Sequence, residues 1–233
     1  MRIAKIYLLA VFSILFSSCD DGDLPIATSE ETGGFKASIQ LTFQGIEAWP
    51  SAYQLVFAAY GEDKETPILS KQIAAPKSET EEEVSLTLNG LPEETRSVGI
   101  SLLTKGRKLI YSYYSTTTDG KDLLLPVKQI DIACFDRIQE QVFDRYCVAC
   151  HGDTDHAAAG LHLSKGKSYP AMVNQIADLS PEGACYVQPG SAKKSFLYSI
   201  LTEDIVRYNH TDVLPEAELV ALIKTWINQG ANN

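Results

Sequence analysis

Two cysteines and a histidine stand within five consecutive residues: Cys147, Cys150 and His151, in the order C-x-x-C-H. Residues three apart share one face of a helix, so both thiols can reach the two vinyl groups on one edge of a porphyrin. The adjoining histidine can then bind the iron at the centre of that porphyrin. This is the attachment sequence of c-type haem, and it predicts one covalent haem c, with its iron, on this chain.

Other chemistries of a C-x-x-C pair fit the surrounding sequence less well. A thioredoxin-like redox pair opens a helix in a βαβ unit, whereas this pair closes a helical pattern that comes after a β-rich region. A zinc site needs a second ligand pair at similar spacing, and the remaining cysteines, Cys134 and Cys185, are single and far apart. Haem attachment is therefore the predicted chemistry.

Two helices are predicted on either side of a loop-rich middle. An apolar series at helical spacing leads into the motif: Phe135, Ile138, Val142 and Tyr146. A second series forms one apolar stripe near the C-terminus: Leu219, Leu222, Ile223, Trp226 and Ile227. Pro215 can open this second helix and Gly230 can end it. The motif thus lies at the end of the first helix.

Further matches to a known family extend beyond the motif. They comprise C-x-x-C-H-G at 147–152, then Ala159, Gly160, Leu161 and Leu163, then Val187, Pro189, Gly190, Ser195 and Leu197, and finally Trp226, Ile227, Gly230 and Ala231. On these residues the segment 134–233 resembles class I c-type cytochromes, and among them the Planctomycete-type cytochrome C domains. The resemblance implies an all-α cytochrome c fold, in which the first and last helices cross and the intervening loops wrap the haem.

The family's usual sixth iron ligand is missing from its expected place. The domains that this segment resembles usually provide a methionine ligand shortly before the last helix. At that place this chain has no methionine and reads Tyr208, Asn209, His210, Thr211 and Asp212. His210 is the predicted sixth ligand, and Met172 is the alternative. His156 and His162 are weaker candidates for the sixth ligand. An iron with only five ligands is the remaining alternative. A second histidine would give a lower potential than a methionine, because methionine ligation raises it.

The N-terminal residues predict export and a lipid anchor. Residues 1–18 combine Arg2 and Lys5 with an apolar run over 6–16, which is typical of a signal peptide. The run ends in a sequence like a bacterial lipobox, so we predict cleavage before Cys19 and lipidation of its sulfur. The protein would then be lipid-anchored outside the cytoplasm. The acidic residues after Cys19 favour the outer membrane, at its periplasmic or surface face, over the inner membrane.

The predicted location outside the cytoplasm is oxidising, which favours a disulfide between the two remaining cysteines. With Cys19 lipidated and the motif cysteines on haem, Cys134 and Cys185 are left to form a disulfide. The bridge would close a loop of about 50 residues and stabilise the fold by roughly 4 kcal/mol. The alternative is two buried free thiols.

Between the linker, residues 19–34, and the haem domain, residues 35–133 are predicted to form a β domain. Alternating apolar residues start it: Phe35, Ala37, Ile39, Leu41 and Phe43. Further strands are predicted at 53–60, 68–73, 84–88, 98–103, 109–114 and 123–132, with turns at Asn89 and Gly90 and at Lys105 and Gly106. This spacing favours an antiparallel sandwich, and the segment 88–92 resembles immunoglobulin-like or transthyretin-like modules. We interpret it as a spacer between membrane and haem.

The net charge of the chain makes one class of partner, nucleic acid, unfavourable. The chain carries 20 basic and 30 acidic residues, a net charge of −10, which is unfavourable for nucleic-acid binding. The sequence as a whole predicts an anchored monohaem cytochrome that passes single electrons between partner proteins at the cell envelope, and no enzymatic step. Two alternatives are a haem peroxidase, which needs an open sixth position, and a surface lipoprotein whose β domain binds a ligand while the haem is an appendage.

Overall fold

The computed structural model describes residues 33–77, 83–153, 155 and 157–233. The predicted signal peptide, the lipidation site Cys19 and His156 lie outside these residues. Residues 33–233 form one compact unit. In the part of the chain that is described, no helix has the length and apolar character that a membrane crossing requires.

The β region begins with the predicted alternation. Strand β1 (Phe35–Gln44) buries every second side chain and leaves the others towards solvent. It pairs antiparallel with β4 (Val84–Leu91), and its other edge carries the short parallel strands β7 (Leu123–Leu124) and β8 (Gln129–Asp131). The prediction of a purely antiparallel sandwich is therefore wrong at this edge.

A second, wholly antiparallel sheet faces the first. Its order is β3 (Leu69–Gln72), β2 (Gln54–Tyr60), β5 (Ser97–Leu103) and β6 (Leu109–Thr117). Apolar residues of both sheets belong to one buried cluster, so the two sheets pack face to face. The strands at 53–60, 68–73, 98–103 and 109–114 thus form close to where they were predicted.

Two local predictions in the β region are wrong. Asn89 and Gly90 do not form a turn; they lie inside β4, where the pairing with β1 shifts register and Gly90 has a φ of 65°. A positive φ suits glycine, which allows a bulge without breaking the strand. The strand predicted at 123–132 is two short strands, because Pro126 between them has no N–H to donate to β1.

The motif helix has three consecutive parts. It starts as α1 (Phe135–Ile138), continues as a π-helix (Gln139–Cys147) and ends as α2 (Val148–His151). Three further α-helices come later in the chain: α3 (Ser168–Met172), α4 (Phe196–Thr202) and α5 (Ala217–Asn228). Short 3₁₀ turns lie at Ile46–Ala48, Ala158–Gly160 and Ala192–Lys194.

The predicted all-α cytochrome c fold for residues 134–233 is wrong. Much of this region between α2 and α5 is extended or turning chain, and it contains β-bridges between Val173 and Val187 and between Ile176 and Cys185. Its glycines explain why helices stay short there, since Gly160, Gly166, Gly183 and Gly190 all have positive φ. The motif helix and α5 do form, with the apolar stripe of α5 buried as predicted.

The β region and the helical region share one apolar core. A single cluster of buried side chains runs from β1 through the motif helix to α5. Within it the Phe135 ring lies 5.2 Å from that of Trp226, measured between ring centroids. The domain boundary between residues 133 and 134 remains a prediction, but the residues on its two sides are packed together.

A buried polar cluster fastens the two regions at this junction. Arg137 is 1% exposed and donates to the Tyr113 hydroxyl at 2.8 Å and to the Ile132 carbonyl at 3.1 Å. Its guanidinium also lies 3.8 Å from Glu218 of α5, whose side chain is 10% exposed. The other Glu218 oxygen accepts the backbone N–H groups of Ser51 and Ala52. The start of α5 is thereby tied to the β region.

Candidate functional site

The π-helix delivers Cys147 to the site. Its buried side chains, including Val142 and Phe143, anchor one face in the core while Cys147 stands half-buried at its end. The next turn, α2, places Cys150 at the surface and His151 as the last helical residue. A π-turn adds one residue to the helical repeat and so rotates the next side chains to a new direction, and such turns are frequent at functional sites.

His151 is held in the tautomer that a metal ligand requires. Its Nδ1 lies 3.0 Å from the backbone carbonyl oxygen of Ala158, in the 3₁₀ turn after the motif. A carbonyl only accepts hydrogen bonds, so Nδ1 carries the proton and Nε2 keeps a free lone pair. Burial lowers the pKa of His151, and the neighbouring His210 lowers it further. The ring is therefore neutral at physiological pH.

His210 lines the same two cavities as His151. The two ring centroids are 6.3 Å apart, with 34° between the ring planes. The Nδ1 of His210 lies 2.7 Å from the carbonyl oxygen of Tyr208, to which it donates a hydrogen bond. The two predicted ligands are thus brought together in one cleft.

An apolar cleft contains this pair of rings. An outer cavity of about 490 Å³ opens beside the motif and adjoins a smaller cavity of about 70 Å³ that reaches into the core. The size of the outer cavity lies in the range of small-molecule and cofactor sites. Residues that line both cavities include Cys147, His151, Leu179, Val206, His210 and Val213.

The motif cysteines differ in their surroundings. Cys147 lines both cavities, and burial, with a smaller effect of Cys150, raises its pKa to about 12. Cys150 lines only the outer cavity and is exposed. Cys147 is accordingly a neutral thiol at physiological pH, unlike the activated thiolate of a disulfide oxidoreductase.

The other candidate ligands lie elsewhere. Met172, the predicted alternative, is fully buried in the core and lines neither cavity. The Nδ1 of His162 lies 3.3 Å from the Gly152 carbonyl oxygen, and this ring also stays outside both cavities. Of the histidines and methionines that the structure describes, only His210 lines the two cavities together with His151.

The predicted Cys134–Cys185 disulfide is not formed between these two described residues: both are free thiols. Cys134 lies against the β region, with its sulfur 3.5 Å from the Tyr111 hydroxyl, and burial raises its pKa. Cys185 lines a separate surface cavity beside Lys193 and Lys194. Cys134 thus contacts a strand of the β region, whereas Cys185 lines a cavity formed by the later loops.

Sequence reasoning missed several residues of the cleft. Leu179, Val206 and Val213 supply apolar walls, and Arg207 adds a cation at the outer cavity. No ion pair or hydrogen bond of Arg207 occurs within the described ranges of the chain. A usable signal was present in the sequence, because Val206 and Val213 flank His210 in a stretch that is otherwise polar.

The described side chains do not form a site for a metal ion without a porphyrin. Across residues 33–77, 83–153, 155 and 157–233, no group of three or more His, Cys, Asp or Glu side chains is placed to hold one. A porphyrin supplies four of the ligands to its iron, so two facing imidazoles are the protein contribution that a six-coordinate haem needs. No protein family, curated protein or solved structure was found to match this chain.

Proposed function

We propose that this chain is a monohaem c-type cytochrome that transfers single electrons. Cys147 and Cys150 would hold the haem covalently, and His151 and His210 would bind its iron. The observation that carries this proposal is the pair of imidazoles, with 6.3 Å between ring centroids, in an apolar cleft lined by the two thiols.

The two imidazoles are close enough to serve as ligands of one iron, with 6.3 Å between their ring centroids. The hydrogen bonds from both Nδ1 atoms to carbonyl oxygens support the same arrangement, since they orient each Nε2 as a ligand.

The thiols can form the two covalent links without an external oxidant. Cys147 and Cys150 would hold the haem through thioethers, each the product of adding one S–H across one vinyl double bond, with the hydrogen on the second vinyl carbon. Cys147 is protonated at physiological pH and so retains the hydrogen that this addition consumes. Its half-buried position and the exposed position of Cys150 suit attachment along one edge of the cleft.

The remaining residues exclude water and balance charge. Leu179, Val206 and Val213 keep the cleft apolar, which limits solvent rearrangement when charge changes there. Arg207 lies at the outer cavity, where its guanidinium can pair with a carboxylate of the cofactor. A bound haem supplies an iron that alternates between the ferrous and ferric states.

The same proposal includes a membrane address. Lipidation of Cys19 would anchor the protein outside the cytoplasm, at the outer membrane rather than the inner one, within reach of redox partner proteins of the envelope. Support for this part comes from residues 1–23 of the sequence alone. Labelling with a radioactive fatty acid, compared between the native chain and Cys19→Ala, tests it. Equal labelling of the two chains would exclude the anchor.

Pyridine haemochrome analysis of the purified mature protein tests haem attachment. We expect one covalent haem per chain, and none in the matched variant with Cys147→Ser and Cys150→Ser. Both the native chain and the variant are produced together with the haem-attachment machinery, so that any difference in haem content reflects the two cysteines. A native chain without covalent haem would overturn the proposal.

The absorption spectrum tests the second ligand. Bis-histidine ligation predicts a low-spin oxidised spectrum without the weak band that methionine ligation gives at about 695 nm. The presence of that band would exclude His210. If His210 occupies the sixth position as proposed, electron transfer is favoured over peroxidase chemistry, which needs that position open.

A further inference from the structure

Tyr208 touches the distal histidine in two ways. Its backbone carbonyl oxygen accepts the Nδ1 proton of His210 at 2.7 Å. Its ring also packs on the His210 ring, with 5.1 Å between centroids and 80° between planes, an edge-to-face contact. The Tyr208 side chain is 65% exposed and lines the outer cavity. A large ring at the surface is thus packed on the imidazole that faces the cleft.

The chain around His210 offers little other restraint. Residues 203–216 contain no helix or strand, whereas His151 ends a continuous helix. Local hydrogen bonds shape the stretch: the Asn209 side-chain oxygen accepts from the backbone N–H and the hydroxyl of Thr211. These bonds fix the backbone, and the imidazole itself is restrained by its Nδ1 bond to the Tyr208 carbonyl and by the Tyr208 ring.

We infer that Tyr208 is the positioning residue for the distal ligand. Its ring lies against His210 and opposes rotation of the imidazole out of the cleft. Tyr208 thereby sets how readily His210 leaves the iron and how readily an external ligand takes its place. This inference rests on the proposed bis-histidine haem.

Cyanide binding to the ferric protein measures this effect. Cyanide must displace His210, so its apparent affinity rises when the histidine is held less firmly. We expect Tyr208→Ala to bind cyanide about three- to tenfold more tightly than the native protein, as one edge-to-face pair would give. Tyr208→Phe keeps the ring and should stay within about twofold of the native affinity.

Ile205→Ala is the matched control. Ile205 is an exposed apolar residue of the same stretch, but it lines neither cavity of the cleft. Its truncation should leave cyanide affinity unchanged, which separates positioning of His210 from general loosening of the chain.

Haemochrome and absorption spectra of every variant are recorded first. A native protein without haem, or without a low-spin bis-histidine spectrum, defeats the proposed function itself. With that spectrum present, equal cyanide affinity of the native protein and Tyr208→Ala overturns the role of Tyr208 alone. Equal gains from Tyr208→Ala and Ile205→Ala would also overturn it.

Discussion

The two sides of the cleft are built differently. On the proximal side, His151 ends a helix that begins in the shared core, and two cysteines next to it are available for covalent bonds. On the distal side, His210 lies in a stretch without helix or strand and is held by contacts within a few residues. For the proposed haem, the His151 side is therefore suited to retain the cofactor, and the His210 side to set its reactivity.

The largest expected effect comes from removing the proximal ligand. His151→Ala should leave little covalent haem on the chain, because no imidazole then holds the iron beside the thiols. His210→Ala should retain nearly the native amount, since the thioethers and His151 are unaffected. Haemochrome yield per chain measures both. Similar yields from the two variants would break the comparison between the sides.

Removal of the distal ligand should open the iron. We expect His210→Ala to change the ferric spectrum from six-coordinate low spin towards high spin, and to raise cyanide affinity by about 100-fold or more because no internal ligand competes. Titration with cyanide measures the change. His162→Ala is the control, since His162 lies outside the cleft; a comparable gain there would contradict the assignment of His210.

The proximal helix should depend on the buried cluster at the junction. Arg137→Ala leaves the nearly buried Glu218 carboxylate without its cation, which should lower the free energy of unfolding by about 3 kcal/mol. Arg96→Ala is the comparison, because its ion pair with Glu62 is exposed and should contribute about 1 kcal/mol or less. Denaturant unfolding of both variants measures the difference, and equal losses would contradict an anchoring role for Arg137.

The smallest expected effect concerns charge at the cleft. Arg207→Ala should lower the midpoint potential by about 10–20 mV, because a nearby cation disfavours the more positive ferric state and solvent screens it strongly at this exposed position. Arg145→Ala removes the same charge from the motif helix at a position outside both cavities. Redox titration of both variants measures the shifts. A larger shift from Arg145→Ala would exclude the placement of Arg207 beside the cofactor.

Local chemistry explains which predictions from the sequence agree with the structure. The alternation in β1 and the helical spacing from Phe135 to Tyr146 are patterns of neighbouring residues, and their elements form close to where they were predicted. The all-α fold failed because it was taken from a resemblance, while the glycines between α2 and α5 favour turns. The predicted disulfide was wrong because it was based only on an oxidising compartment. A disulfide also needs two cysteines at the right distance and orientation, which the sequence does not give.

The sequence alone predicts the reactive group of the site. The order Cys147, Cys150, His151 needs only one helical turn to align, so its spacing predicts the attachment of haem. The sequence also named His210 as the second ligand, from its place before the last helix, but the closeness of His210 to His151 follows from the tertiary structure. His210 lies 59 positions further along the chain, and its approach to His151 depends on the core that packs the motif helix against α5 and on the short-range bonds of Tyr208. Contacts between distant residues are fixed by packing of the whole fold, which local spacing does not encode.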